Sequence, residues 1–211
     1  MADRREEILD AALALADEAG LDAVSMRALA DRLGVTPMAL YRHVDSKADL
    51  LDGLVDRLLV AFVPVNTDAA QGDWADRLAG LARTFRRTVQ SHPWAAQLLF
   101  SRPAVTPDAV RAVDVLYSAL IEAGVPGREV PRLERMISTF VIGFAVSEAS
   151  GRFAPGAVDP RRRRGQFCDG ELLGHRRLAP WLDSPTDLNA EFERDLSDLL
   201  RLVESTTRER P

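Results

Sequence analysis

The sequence is poor in cysteine and in long apolar runs, and each shortage excludes a class of protein. A single cysteine, Cys168, cannot form a disulfide within the chain, which excludes a disulfide-stapled secreted domain. No window approaches the roughly 18 uninterrupted apolar residues that a membrane span requires. The charged N-terminus, MADRREEILD, lacks the apolar segment of a secretory signal. We therefore expect a cytoplasmic protein that does not contact the membrane.

Positive charge is also scarce, so overall charge gives no support for nucleic-acid binding. The 211 residues carry 27 Lys and Arg against 32 Asp and Glu, for a net charge of −5. Residues 1–50 contain six basic and ten acidic side chains. Between Met26 and Lys47 the balance reverses, to four basic and two acidic residues, and Lys47 is the one lysine of the chain. Binding to DNA would therefore have to rely on local charge.

Apolar residues recur at helical spacing along most of the chain, and no stretch shows sustained period-two alternation. This pattern predicts an all-α fold. Capping hydroxyls at Ser25, Thr36 and Ser46 mark helix starts, and Gly34 marks an end. The predicted helices span about 4–19, 26–33, 36–44, 47–63, 73–91, 94–101, 106–124, 129–151 and 187–204.

The helices group into a small head and a larger body. We expect a head over residues 1–46, a connecting helix over 47–63 and an all-helical body over 64–211. The pattern fails over 154–185, where prolines, glycines and the run Arg161 to Arg164 predict a long loop with a short helix near 170–178. The arginine run is typical of a solvated loop, with a DNA or protein contact as the alternative. No role is assigned to Cys168.

The segment that ends at Lys47 has the form of a helix-turn-helix. Gly34 tolerates the left-handed backbone that the tight turn demands. The apolar contacts between its two helices would come from Leu29, Ala30, Leu33, Val35 and Leu40. The second, short helix then presents methionine, tyrosine, arginine and histidine outward, a composition that suits base reading better than solvation.

These residues resemble the tetracycline-repressor (TetR) family, whose heads follow the pattern S/T-x-R-x-L-A-x-x-L-G-V-…-L-Y-x-H-V/F-x-x-K-x-x-L-L. The later stretches SHPWAAQLLFSRP and FVIGFAVSEAS are similar to the ligand-binding domain of the tetracycline repressors themselves. The head positions that match in register are Ser25, Arg27, Leu29, Ala30, Leu33, Gly34, Val35, Leu40, Tyr41, His43, Val44, Lys47, Leu50 and Leu51.

The resemblance implies a ligand-responsive transcriptional repressor that binds double-stranded operator DNA as a homodimer. Phosphate contacts would come from Tyr41, His43 and Lys47, and base contacts from the short helix. Met26 and Arg27, at the start of the helix before it, would contact base edges or phosphates. The residues assigned to DNA are Met26, Arg27, Thr36, Pro37, Met38, Tyr41, Arg42, His43 and Lys47.

The resemblance also implies an effector cavity in the body, and such pockets are mainly apolar with a few polar anchors. No histidine-plus-carboxylate pair matches the magnesium–tetracycline site of the drug-binding members, so we expect an apolar or aromatic effector and no metal or cofactor. Gln97 and Ser138 are further polar candidates. The assigned lining residues are Phe62, Phe85, His92, Trp94, Leu98, Tyr117, Met136, Phe140 and Phe144.

Dimerisation is assigned to the 129–151 helix and the last helix, which would pair with their symmetry mates as a four-helix bundle. The interface residues are Ile137, Val141, Phe192, Leu196, Leu199 and Leu200. Three alternatives stay open: an activator of the same fold, a helical interaction module without DNA binding, and an enzyme. We do not expect an enzyme, because the three histidines lie far apart and no nucleophile, zinc or phosphate-loop pattern occurs.

Overall fold

The structure, a computed structural model, describes residues 4–60, 72–101, 107–153, 172–182, 184 and 186–208. This part of the chain forms ten α-helices and a short 3₁₀ turn, Leu21–Ala23, and it contains no strand. None of its helices has the length and hydropathy needed to cross a membrane. The helices are α1 (Arg4–Ala19), α2 (Met26–Leu33), α3 (Pro37–Leu40), α4 (Lys47–Val60), α5 (Trp74–Ser91), α6 (Ala95–Ser101), α7 (Pro107–Glu122), α8 (Val130–Ala149), α9 (Leu173–Leu182) and α10 (Leu188–Arg208).

The head consists of α1 to α3 and the start of α4, which share one apolar core. Every third or fourth residue of α1 points inward, so that Ile8 and Ala12 are completely buried. Val24, Leu29 and Leu40 join them from the segments that follow. The five residues predicted to hold α2 against α3 all contribute to this core. Leu29, Ala30 and Leu40 are part of it, and Leu33 and Val35 pack against it.

Helix α4 leaves the head and enters the body, packing on α1 at one end and on α6 and α7 further along. Its approach to α1 is close at Gly53, where a Cβ would come within 2.7 Å of a Leu9 methyl group and the Leu9 side chain would have to shift. Arg5 of α1 donates to both carboxylate oxygens of Asp49 in α4, at 2.8 and 3.0 Å. Arg57 of α4 pairs in turn with Glu6 and Asp10 of α1. These contacts hold the first turns of α4 to the head.

The body packs α5, α7, α8 and α10 around a second core. Leu120 of α7, Leu133 of α8 and Phe192 of α10 are completely buried there. Asp73 caps α5 by accepting hydrogen bonds from the backbone N–H groups of Ala75 and Asp76. The body is therefore a helical bundle that α4 joins to the head.

Most helix bounds agree with the sequence prediction within two residues, and three elements differ. Helix α3 ends at Leu40, and the backbone turns over 41–43 instead of continuing as helix to Val44. The predicted short helix near 170–178 is Leu173–Leu182, with Pro180 inside it. Helix α10 continues to Arg208, beyond the predicted end at 204. The end of the connecting helix past 60, Cys168 and the run Arg161 to Arg164 lie outside the described residues.

Candidate DNA-binding face and effector cavity

The helix-turn-helix is built from local capping signals. Ser25 accepts a hydrogen bond from the N–H of Ala28 at 3.1 Å and so fixes the start of α2. Gly34 ends α2 with a φ of 65°, a conformation that side chains with a Cβ rarely adopt. Thr36 accepts from the N–H of Ala39, and Pro37 occupies the first helical position of α3. The turn between the two helices is thus specified by Gly34, Thr36 and Pro37.

Helix α3 projects from the head with its polar and aromatic tips exposed. Met38 is 73% exposed and Tyr41 46% exposed, although Leu40 between them is buried. Among the residues assigned to DNA, Met26 is only 8% exposed, because its side chain faces the head core and is not presented to a ligand. The other eight predicted positions, all exposed, are Arg27, Thr36, Pro37, Met38, Tyr41, Arg42, His43 and Lys47.

The charges of the head separate into paired and unpaired sets. Arg4, Arg5, Arg32 and Arg57 all form ion pairs, and every acid that they bind lies on α1 except Asp49. The Arg5 guanidinium holds the pKa of Asp49 below its usual value, so that the carboxylate stays ionised. No ion pair within the described residues involves Arg27, Arg42 or Lys47. The acids that make the head negative are therefore largely neutralised on α1, and three cations are left beside α3.

The body encloses a cavity of about 260 Å³ between five helices. Helix α4 contributes Val55 and Leu59, and α6 contributes Leu99. The polar groups among the described lining residues are Glu134 and Ser138 of α8. Its other described walls are apolar, formed by Leu78, Leu81, Ala82, Phe85, Ala112, Val113, Leu116, Ile137, Val141 and Ile142.

Most residues that the sequence assigned to an effector pocket do not line this cavity. Phe85 and Ser138 do line it, whereas Gln97 is exposed on α6. Phe62 lies outside the described residues. Leu98 is buried in the head-side core, and Tyr117, Met136, Phe140 and Phe144 pack in the core of the body. Sequence reasoning favoured large aromatic side chains, and the cavity forms where smaller aliphatic ones leave room.

His92 and Trp94 connect the body to the head instead of lining the cavity. The indole N–H of Trp94 donates to Oδ1 of Asp17 at 2.6 Å, and Nδ1 of His92 lies 2.7 Å from the same oxygen. Asp17 belongs to α1, while both aromatic residues lie at the junction between α5 and α6. The two rings meet edge to face, 6.0 Å apart. We call this group the Asp17 junction.

Comparison with known proteins agrees with both halves of this architecture. Residues 8–54 match the family "Bacterial regulatory proteins, tetR family", and residues 66–170 match the family "Tetracyclin repressor-like, C-terminal domain". The class D tetracycline repressor of Escherichia coli is 37% identical over 209 residues, which cover 94% of this chain and 93% of that protein. The chain belongs to the TetR family of bacterial regulatory proteins.

Other TetR-family proteins match over different lengths. An HTH-type transcriptional regulator of Saccharopolyspora erythraea is 35% identical over 149 residues, or 70% of this chain. The match spans 62% of that relative, less than two thirds of its length. The crystal structure of a possible TetR family transcriptional regulator from Streptomyces coelicolor A3(2) superposes with a TM-score of 0.76. It is 31% identical, and the superposition covers 95% of this chain and 98% of the other.

Four residues that the sequence assigned to a dimer interface are buried within the single chain. Ile137 and Val141 line the cavity. Phe192 and Leu196 are 0% and 2% exposed within the single chain, because α10 turns them onto α5 and α8. A residue already buried in one chain offers no area to a second copy. Leu199 and Leu200 are half-buried, and their assignment to an interface stays a prediction.

Proposed function

We propose that this TetR-family protein is a repressor that binds a palindromic operator as a homodimer in the bacterial cytoplasm. Binding of a small effector with a largely apolar body in the cavity would release it from DNA. The observation that carries this proposal is the exposed surface of α3 and the turn after it, from Thr36 to His43. Arg27, Arg42 and Lys47 are also exposed and form no ion pair within the described residues. Exposure of large side chains such as Met38 and Tyr41 to water is explained if a DNA groove covers them when the protein is bound.

Lys47 supports the phosphate-binding part of the proposal. It is the first residue of α4, where the helix dipole is positive and a cation is unfavourable for helix stability. The same position places an ammonium group at the positive end of the α4 dipole, and the two positive charges together attract a phosphate anion. We therefore assign Lys47 to the DNA backbone, and Arg42 of the adjoining turn to the bases.

The cavity and the DNA-binding face share structural elements that can transmit a signal. Val55 and Leu59 of the cavity lie on α4, the helix that begins at Lys47. Leu99 of the cavity lies on α6, whose start is held to α1 by the Asp17 junction. A ligand that prefers a shifted position of α4 or α6 would lower DNA affinity by its differential binding to the two states.

We propose that α8 and α10 supply the dimer interface, with a different set of side chains from the one the sequence suggested. On α10, Leu202 is 40% exposed and lies one turn from Leu199, which is half-buried. These two leucines extend outward from the buried Phe192–Leu196 stripe and offer apolar surface to a second copy. A dimer would hold two α3 helices about one turn of DNA apart.

Selection from a random duplex library tests the proposal. Duplexes retained by the full-length protein should converge on a two-fold symmetric site whose half-sites lie about 10 base pairs apart, or a multiple of that spacing. Bound duplexes with no shared sequence would contradict sequence-specific regulation. A reporter gene placed behind the selected site then separates repression from activation, because deletion of the regulator should raise expression from a repressed promoter.

A further inference from the structure

The cavity carries one feature that an apolar effector alone does not explain. Among its fifteen described lining residues, thirteen are apolar, and the two polar ones, Glu134 and Ser138, lie one turn apart on α8. The hydroxyl of Ser138 donates to Oε1 of Glu134 at 2.8 Å. The two polar groups therefore form a single unit on one wall of the cavity.

Glu134 forms no ion pair within the described residues. Two other carboxylates of the body do form one, Glu148 with Arg86 and Glu193 with Arg83. Its one hydrogen-bond partner there is Ser138, which leaves acceptor capacity on both carboxylate oxygens. A half-buried carboxylate in an otherwise apolar wall is costly to desolvate unless a ligand supplies the missing partner.

We propose that the effector is an amphiphile with an apolar or aromatic body and one protonated amine, and that Glu134 binds the amine. Ser138 positions the carboxylate by holding Oε1, so that the other oxygen points its lone pairs at the ligand. This inference rests on the proposed function, because it assigns a chemical class to the effector of that regulator. A carboxylic acid of the same size would be repelled, and an alcohol would satisfy one lone pair without offsetting the charge.

Two probes that share one ring system separate charge from apolar contact. Isothermal titration of the full-length protein would compare naphthylmethylamine with naphthylmethanol at neutral pH, where the first carries a protonated amine and the second is uncharged. Because charge-assisted hydrogen bonds contribute about 1.5–3 kcal/mol, the amine should bind the wild type about tenfold to a hundredfold more tightly than the alcohol.

The variant Glu134→Gln should remove this preference while leaving the affinity for naphthylmethanol within about twofold, and Ser138→Ala should reduce the preference in part. Glu191→Gln removes one negative charge from an exposed site on α10 and is the matched control, which should keep the full preference. Ala112→Trp fills the cavity from α7 and should weaken both probes, which locates their binding. Thermal unfolding of each variant checks that it folds.

Equal affinities for the two probes in the wild type, failure of both to bind, or retention of the amine preference in Glu134→Gln would each overturn the inference. The affinity of the same protein for the selected operator is measured separately, without ligand. That measurement tests the proposed function, whereas the ligand titrations test the chemical class of the effector. Both proposals would be supported if Glu134→Gln lost the amine preference and the wild type bound its selected operator sequence-specifically. A protein that prefers the amine but selects no operator would contradict the repressor alone.

Discussion

The guanidinium of Arg86 contacts two phenyl rings that meet edge to face, and it donates two hydrogen bonds to Glu148, at 2.7 and 2.8 Å. Its central carbon is 4.8 Å from the ring centroid of Phe192 and 5.3 Å from that of Phe144. The side chains of Arg86 and Glu148 are only 8% and 18% exposed. This one arginine therefore joins α5 to α8 by an ion pair and to α10 by a cation–π contact.

Removing the carboxylate should leave the buried guanidinium without its charged partner. We expect Glu148→Gln to lower the free energy of unfolding by about 1–3 kcal/mol, measured by urea denaturation at neutral pH. Glu193→Gln is the matched control, because Glu193 pairs with Arg83 in the same bidentate way while both side chains remain about half exposed. It should cost no more than about 1 kcal/mol. Equal losses of unfolding free energy in the two variants would show that burial does not make the Arg86–Glu148 pair more important than the exposed pair.

The same pair predicts how stability depends on pH. Hydrogen bonds from Arg86, and a weaker one from Gln90, hold the pKa of Glu148 below its ordinary value in the folded state. Because the folded pKa lies below the unfolded one, the stabilisation is present at neutral pH and is lost as the pH falls through the folded pKa. The stability gap between wild type and Glu148→Gln should therefore narrow on acidification below about pH 4.5.

Gly34 allows a test of the turn that aims α3. Its φ of 65° is a left-handed conformation, and no atom lies within 4 Å of the position that a Cβ would take. The cost of Gly34→Ala should thus come from backbone strain alone, about 1–2 kcal/mol. Asn tolerates this conformation better than Ala, so Gly34→Asn should cost less. Chemical denaturation measures both variants, and an Ala variant as stable as the wild type would contradict the assignment.

The local signals of the head were readable from the sequence because each is carried by neighbouring residues. Ser25, Gly34 and Thr36–Pro37 fix the bounds of α2 and the start of α3 through contacts no more than four residues apart. Exposure of Arg42 and Lys47 likewise follows from their place at a turn and a helix start. The burial of Met26 could not be predicted in this way, because the direction of its side chain depends on how α2 packs against the rest of the head.

In the body, helical periodicity identified the apolar faces but not what each face covers. Ile137 and Val141 form an apolar stripe that fits a dimer interface and a cavity wall equally well. The choice depends on how α8 packs against α5, α6 and α7, which the pattern within α8 does not encode. The place of Trp94 also depends on a contact distant in sequence. Its aromatic ring suggested a ligand pocket, whereas its N–H donates to Asp17, which lies 77 residues earlier in the chain.

The Asp17 junction should contribute measurably to the attachment of the head. Trp94→Phe keeps an aromatic ring but removes the N–H that donates to Asp17, and we expect a loss of about 1 kcal/mol in unfolding free energy. In this variant, amide hydrogen exchange should become faster than in the wild type in the second half of α1, around Asp17. The core of the body should change less. Trp181→Phe is the control, because Trp181 is 71% exposed on α9 and its replacement should change neither measurement.

The central claim, that α3 and the start of α4 form the DNA-binding face, is tested most directly by the salt dependence of operator affinity. Lys47→Ala should weaken binding to all duplexes and reduce the slope of log affinity against log salt by about one unit per protomer. Arg4→Ala removes an equal charge, but Arg4 is paired with Glu7 on α1, so the slope should not change. The account would be contradicted if Lys47→Ala kept the wild-type slope, or if Arg4→Ala lowered it by the same amount.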